Sequence, residues 1–505
     1  MRGVFTGLFP RGPGLQREFL RTETGRLLRY QDALEQSAQL AHTLRAFGVR
    51  ADDRVAVQVE KSPEAVLLYL ATLRVGAVYL PLNSAFTAAE LEYFLGDAEP
   101  ALFVCTPQRQ ESLEPLAQRI GVRTVAALGA AGEGSLLSDA RGRAIEFDTV
   151  ARSADDLAAI LYTSGTTGRS KGALLTQRNL IANARTLAAL WRFSPADVLL
   201  HALPIFHIHG LFVAINVTLA AGSSLLLLPR FDPDRVLGHL PQASVMMGVP
   251  TFYVRLLKDP RLTRELTAHC RVFISGSAPL LIDTHREWLA RTGHMLLERY
   301  GMSETGMNTS NPYEGERVPG SVGLPLPDVS LRIVDAANGD PLPRGEIGMI
   351  EVQGPNVFAG YWRQPDKTRA EFRADGYFMT GDLGKVDARG YVFIVGRSKD
   401  LVISGGYNIY PKEIEAEIDR LPGVLESAVF GVPHPDFGEG VTAAVVRAPG
   451  AGGLTEAEVL QALRARLASY KLPKRLIFVA DLPRNSMGKV EKKLLRQRYV
   501  DTYRQ

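Results

Sequence analysis

Three consecutive stretches, RVAVQVE (54–60), PEAVLLYLATLRVG (63–76) and AVYLPLN (77–83), constrain the fold more than any other feature of the chain. The first and third are short runs rich in valine and leucine. The middle one is long enough for a helix and begins with proline, which suits a first helical turn. Strand, helix, strand is the reading, and the pattern recurs: apolar runs of strand length alternate with amphipathic stretches and Gly/Pro punctuation. That alternation predicts an α/β protein whose mixed sheets are covered by helices.

The alternation breaks between about 318 and 391, where Gly and Pro are dense and the extended runs SLRIVD, GMIEVQG and GYVFIVG predict β-rich structure. After Gly396 comes the polar stretch RSKD and then a tail with a pattern of its own: a helix over 411–421, strands at SAVFGVP and TAAVVR, a helix over 455–468 and a strand at RLIFVAD. We therefore expect a large, multi-lobed N-terminal domain over 1–396, a short connector at 397–400 and a small α+β domain over 401–505. No repeat of solenoid spacing and no low-complexity tract is visible.

A chain of 505 residues, 46% hydrophobic and 22% charged, buries a sizeable core. Its formal charge of +4 is a weak excess, and no basic block marks a nucleic-acid arm or a polybasic membrane patch. Anionic small molecules are better matched to a few well-placed cations. Cys105 and Cys270 are too few for a disulfide framework or a paired-cysteine metal site. The longest apolar runs are far too short to span a bilayer, and Pro10, Gly12, Pro13 and Gly14 interrupt any N-terminal targeting helix. The expected location is the cytoplasm.

The strongest local signal is YTSGTTGRSKG (162–172), which follows the strand-like LAAILYT. Gly165 and Gly168 let a backbone approach phosphate closely; Thr163, Ser164, Thr166 and Thr167 offer hydroxyl donors, and Lys171 offsets charge. A Walker A loop needs four residues between its glycines and an immediate Lys-Ser/Thr. Here the two glycines are too close together and Lys171 stands three residues after the second, so the ordinary P-loop reading fails.

The loop resembles that of the adenylate-forming superfamily of acyl-CoA synthetases, luciferases and peptide-synthetase adenylation domains, and four further motifs of that family follow in order. Glu298-Arg299-Tyr300-Gly301-Met302-Ser303-Glu304-Thr305 resembles its adenine and magnesium motif, and YFMTGD ending at Asp382 its ribose motif. GRSKD (396–400) with Ser404-Gly405-Gly406 resembles its hinge and following loop, and PRNSMGK ending at Lys489 its C-terminal lysine motif. The resemblance implies a C-terminal domain that is mobile, ATP and Mg²⁺ as cofactors, and coenzyme A as the second substrate. It implies Glu304 as the Mg²⁺ ligand, Ser303 as a donor to the α-phosphate, and Tyr300 with the Ser277-Ala278-Pro279 turn around adenine. Asp382 would hold the ribose, Arg397 would touch the nucleotide, and Lys399 would be the hinge. Ser404, Gly405 and Gly406 would line the pantetheine tunnel, and Lys489 would bridge carboxylate and α-phosphate. From spacing alone, the loop at 404–406 reads as a hairpin turn.

The acid is set by another region. PIFHIHG (204–210) lies where the family's acyl pocket begins, and His207 matches a gate position between that pocket and the thiol tunnel. Either His207 or His209 taken singly reads as a satisfied core residue or an exposed turn. HALPIFHIHGLF, GVPTFY and FISGSAPLLIDTHREW look like the malonyl-CoA synthetase branch, whose site must hold a second carboxylate. Arg286 is the expected guanidinium for it, with Ser310 donating, although Arg286 alone reads as a solvent-facing helix residue.

The expected function is thus an ATP-dependent malonate–CoA ligase that also accepts methylmalonate. The alternatives are a synthetase for another short- or medium-chain acid, an amino-acid adenylation domain, and a non-catalytic nucleotide-binding protein. The presence of Lys489, Glu304 and Asp382 counts against the last. No nucleic-acid or membrane partner is expected, and Lys489 is the expected target of any lysine acetyltransferase and deacetylase.

Overall fold

The structure, a computed structural model, describes residues 3–163, 170–405, 407–451, 453–485 and 488–504. It divides into two compact units, Met1–Ser330 with Gln353–Gly376, and Leu331–Val352 with Tyr377–Gln505. The β-rich runs 331–352 and 377–396 thus group with the C-terminal tail.

In the first unit the three opening stretches become the strand Arg54–Gln58, the helix Pro63–Arg74 and the strand Val78–Pro81, with the two strands parallel. Ser62 caps the helix by accepting from the Ala65 amide, and proline occupies the first turn, where its missing N–H costs nothing. Every residue of this helix is buried, which explains why its sequence is apolar all round. The strands belong to a six-stranded sheet ordered Thr124–Ala127, Leu102–Cys105, Arg54–Gln58, Val78–Pro81, Leu157–Thr163, Lys171–Thr176. Only its last pair is antiparallel.

A nine-stranded sheet forms the rest of this unit. Its parallel centre carries Leu297–Met302, Val272–Ser275, Val245–Gly248, Val198–His201, Ser224–Leu227 and Glu18–Thr22 side by side. Of these, Val272–Ser275, Val245–Gly248 and Ser224–Leu227 are buried on both faces, as helix-covered parallel strands must be. Their carboxyl ends, from which loops emerge in α/β sheets, carry the segments after His201, Gly248, Ser275 and Met302.

The second unit holds an antiparallel run of Gly348–Gln353, Phe378–Val386 and Val392–Arg397. It also holds a five-stranded sheet built on the long hairpin of Val424–His434 and Gly438–Arg447, with Arg475–Val479 parallel to the latter. The helices Pro411–Ile418 and Glu456–Arg464 pack apolar residues (Ile414, Ile418, Val459, Leu463) onto that sheet. Among the described residues, no helix is long and apolar enough to cross a membrane.

Candidate active site

The phosphate-loop sequence joins two adjacent antiparallel strands, with Thr163 opposite Lys171. Ser164, Gly165, Thr166, Thr167 and Gly168 lie outside the described residues. The strand ends around the loop are fixed by aromatic donors: the Tyr162 hydroxyl donates to Asp97 at 2.5 Å and the Tyr93 hydroxyl to the Ser170 carbonyl at 2.6 Å. Lys171 is buried, its Nζ 3.2 Å from Oε1 of Glu371 and 4.4 Å from the centre of the Tyr361 ring.

Glu304 sits in the tight turn between Leu297–Met302 and Gly306–Ser310. The turn needs glycine on both sides: a Cβ on Gly301 would stand 2.0 Å from the Gly306 carbonyl oxygen, and Gly306 has φ +60°. The Glu304 carboxylate is buried, and its Oε1 accepts from the Thr163 hydroxyl at 3.2 Å and lies 3.3 Å from the Tyr361 hydroxyl oxygen. Among the described residues, no group of three or more His, Cys, Asp or Glu is arranged to hold a metal. A single hard carboxylate is nevertheless what Mg²⁺ requires when phosphates and water supply its other ligands, so Glu304 fits that role. Tyr300 is buried and Ser303 is half-buried beside this turn. Glu298 is spoken for: its Oε1 accepts from the Leu280 amide at 3.3 Å and its carbonyl from the Asn311 amide at 2.9 Å, which ties the strand to the segment after Pro279.

A second polar cluster in the same unit is formed by Arg299, His207 and His209. Arg299 is 2% exposed, and its Nε and Nη2 have no hydrogen-bond partner among the described residues. Burial pulls its pKa down to about 9, still charged at neutral pH, and the one neighbouring group that raises it is the Tyr253 phenol rather than a carboxylate. The guanidinium lies against Gly276, where a Cβ would stand 2.6 Å from Cζ. Burial and this cation hold His207 at a pKa of about 4 and push His209 well below its ordinary value, so both rings are neutral. The His209 amide donates to Nδ1 of His207 at 3.2 Å. Nδ1 of His209 is 3.3 Å from the Ser277 hydroxyl, and Nε2 is buried without a partner among the described residues. Ser277 holds φ +71°, a strained position for a residue with a Cβ and one often found where a loop is shaped for binding.

The segment carrying these histidines is anchored from below. Lys61 Nζ donates to the carbonyls of His201 (3.1 Å) and Leu203 (2.8 Å) and contacts Nδ1 of His201 at 3.2 Å, while Nε2 of His201 donates to the Gly210 carbonyl at 2.7 Å. The turns that follow, from His209 to Ile215, form a π-helix, a form frequent at functional sites.

Two expected acid ligands are not where the sequence reading put them. Arg286 projects from the helix Ile282–Thr292 with 73% of its side chain exposed and pairs with Asp283 at 3.4 Å. Its neighbours His285 and Trp288 take the buried face instead, as the helical period dictates. Ser310 is buried, but its hydroxyl accepts from the Trp191 indole at 2.9 Å and donates to the Asn311 carbonyl at 2.8 Å, a structural use. The buried guanidinium near the histidines is that of Arg299, on the strand that follows this helix. In the sequence, only the adenine motif marks Arg299.

In the second unit, the buried Asp382 pairs across two strands with Arg397, whose Nε lies 3.1 Å from Oδ1. Lys489 is held in a turn by reciprocal bonds with Asn485: the Lys489 amide to Oδ1 at 3.0 Å, and the Asn485 amide to the Lys489 carbonyl at 2.9 Å. Burial, then the positive Arg397, pulls the Lys489 ammonium down to about 8; Asp382, Lys399 and Asp400 also act on it. Residues far apart in sequence thus share one electrostatic neighbourhood. Lys399 lies on a 3₁₀ turn, Ser398–Asp400, and Asp400 is tied to Arg496 at 2.9 Å. Ser404 is buried and Gly405 has φ +57° in the hairpin that joins Val402–Ser404 to Tyr407–Ile409; Gly406 lies outside the described residues.

The profile of the family described as AMP-binding enzyme matches residues 12–362, and that of the AMP-binding enzyme C-terminal domain matches 413–489. The chain is 37% identical to the mitochondrial malonate–CoA ligase of Mus musculus, covering 93% of this chain and 87% of that one. It is also 37% identical to a feruloyl-CoA synthase of an Amycolatopsis species, covering 94% of each. The crystal structure of ATP-bound MatB from Rhodopseudomonas palustris superposes with a TM-score of 0.98 at 59% identity over the whole of both chains. Two matched profiles and similarity along its full length place this chain in the AMP-binding enzyme family.

Proposed function

We propose that the chain is an ATP-dependent acid–thiol ligase that joins malonate to coenzyme A through malonyl-AMP. A carboxylate resists attack by a thiol, because it is anionic and oxide is a poor leaving group. Joining it to AMP removes both obstacles. In the first step a malonate oxygen attacks the α-phosphorus, the bond from that phosphorus to the bridging oxygen of the β-phosphate breaks, and pyrophosphate departs. Two anions must meet, so the residues that matter are cations and donors. Mg²⁺, when bound, neutralises phosphate charge, and Glu304 would hold it. Thr163, Ser303 and Lys171 act on phosphate oxygens, Tyr300 and the Ser277–Pro279 turn on adenine, and Asp382 on the ribose hydroxyls. Lys489 places its ammonium between the carboxylate and the α-phosphate. In the second step the thiolate attacks the acyl carbon, the acyl–phosphate bond breaks and AMP leaves, with neutral His207 beside the reacting carbonyl. A turn about Lys399 would exchange Lys489 for the Ser404–Gly405 loop between the steps.

The observation that carries malonate is Arg299: a buried guanidinium with two donors that lack a partner among the described residues, beside the neutral rings of His207 and His209. A second carboxylate satisfies it bidentately, whereas an alkyl or aryl acid leaves it unpaired. The name of the mouse relative points the same way. The feruloyl-CoA synthase relative supplies the competing reading, an aryl acid. A panel of malonate, methylmalonate, acetate, butyrate and ferulate, assayed by pyrophosphate–ATP exchange and thioester formation, decides between them. Exchange with malonate at least about tenfold above butyrate and ferulate is expected, since each 1.4 kcal/mol of selective binding is tenfold. Equal exchange with butyrate or ferulate would remove malonate from the scheme.

The depressed Lys489 also sets a pH dependence. Its ordinary value is 10.5 and here it is about 8, so the charged form that adenylation needs is lost from about pH 8 upward. Pyrophosphate exchange should therefore fall above pH 8, and K489R should move that fall to higher pH. The same depression leaves an appreciable free-amine fraction near neutrality, which suits acetylation. Stoichiometric acetylation at Lys489 should abolish exchange while leaving thioester formation from supplied malonyl-AMP, and intact exchange would refute that role.

A further inference from the structure

Glu371 belongs to none of the sequence motifs, yet it is the carboxylate that faces the phosphate-loop lysine. It closes the short helix Pro365–Glu371, where the backbone carbonyls disfavour an anion, so its position needs compensation. Two lysines provide it: Lys171 at 3.2 Å, whose side chain is 6% exposed, and Lys367 at 2.8 Å, which is 34% exposed. Burial pushes the Glu371 carboxyl up, but Lys367, Tyr361 and Lys171 outweigh it and hold it below the ordinary range. On its other oxygen, Oε2, Glu371 accepts from the Tyr361 hydroxyl at 2.6 Å. That hydroxyl lies 3.3 Å from Oε1 of Glu304, and the Tyr361 ring packs against the Lys171 ammonium. A phenol has one proton, so Tyr361 serves Glu371 or Glu304 but not both at once.

We propose that Glu371 is a resident anion that holds Lys171 until a polyphosphate takes its place, and that Tyr361 passes that exchange to Glu304. A buried ammonium without a counter-ion is costly, which is why a charge must stand there when phosphate does not. Lys367 makes the exchange cheap in the other direction. When Lys171 turns to phosphate, Glu371 keeps a second ammonium and is not stranded. With its grip on Lys171 gone, Glu371 frees the Tyr361 proton for Glu304, the carboxylate that would face magnesium. Glu371 is on this account a positioning residue that competes with substrate.

The inference rests on the nucleotide-binding reading above. It is tested by calorimetric titration of the full chain with magnesium pyrophosphate and, separately, with AMP, which lacks the phosphates that Lys171 would meet. E371Q keeps an acceptor for Tyr361 but removes the charge. It should bind pyrophosphate about three- to tenfold more tightly, with AMP within about twofold of the parent and a lower melting temperature without ligand. K367M, at a partly exposed position, should act oppositely, weakening pyrophosphate about two- to threefold because Glu371 then has Lys171 as its remaining ammonium. A merely structural glutamate would lower stability without this opposite pair of shifts. Pyrophosphate affinity unchanged or weakened in E371Q, or unchanged in K367M should E371Q fail to fold, overturns the role of Glu371. A parent protein that binds AMP but no pyrophosphate overturns it and the phosphate-site reading together.

Discussion

Two buried cations in the same unit stand in opposite states. Lys171 is paired: Glu371 lies within ion-pair distance and Tyr361 covers it. Arg299 is not: two of its donors have no partner among the described residues, and no carboxylate is among the groups that act on it. Burying charge without a partner costs several kcal/mol, so neither state is accidental. The difference tells where the missing anion comes from. An anion supplied by the chain can be exchanged for a ligand, which makes binding a competition. An anion supplied only by the ligand makes the empty site unfavourable and the filled one selective, because an acid without a second charge cannot relieve it.

The largest effect that would break this comparison is at Arg299. R299M keeps volume and removes the charge, and kcat/KM for malonate should fall by about 10³-fold, the ~2–5 kcal/mol typical of losing one partner of a buried charge pair. Activity with butyrate should be kept or rise. Without ligand the variant should melt at the same or a higher temperature, since an unpaired buried charge has gone. That sign is opposite to the one expected for E371Q, and a strongly destabilised R299M would make Arg299 a structural residue instead.

Gly276 comes next. Its Cβ would stand 2.6 Å from the Arg299 Cζ, too close for a rigid planar group to ignore. G276A should displace the guanidinium at an overpacking cost of ~1–3 kcal/mol, read as a ten- to hundredfold loss in kcat/KM for malonate with butyrate little changed. An equal loss for both acids would show that the whole pocket, rather than its cation, had moved.

How far the sequence could be read follows the same division. The strand–helix–strand start, the C-terminal hairpin with its two helices, and the helix bearing Arg286 were all legible, because each is written in local periodicity and capping. The strands that flank the glycine–hydroxyl loop are written locally in the same way, whereas the loop itself lies outside the described residues. What escaped was long-range. Glu371 reaches Lys171 across 200 positions, and nothing in TRAEF distinguishes that glutamate from a solvated one. Lys61 anchors His201 across 140 positions in the same way. Ser310 was chosen as a ligand for its hydroxyl, but local sequence says nothing of the Trp191 indole that already uses it. S310A should therefore cost ~1–3 kcal/mol of stability by stranding a buried donor, with malonate activity within about twofold of the parent. A selective loss of malonate activity at full stability would restore it to the acid site.

The smallest effect sharpens the comparison most cheaply. Arg286 and Arg299 lie on consecutive elements, one helical and one extended, and carry the same guanidinium. The sequence favours Arg286, because the helix LLIDTHREWLAR stands out and a strand-borne arginine does not. Periodicity decides otherwise: with His285 and Trp288 buried, Arg286 must face solvent, where its pairing with Asp283 is screened and worth little. R286A should shift stability by less than about 0.5 kcal/mol and leave the malonate-to-butyrate ratio of kcat/KM unchanged within about twofold. A selective loss of malonate there, with R299M left active, would reverse the assignment of the two arginines and with it the argument that the unpaired buried charge is the one that reads the acid.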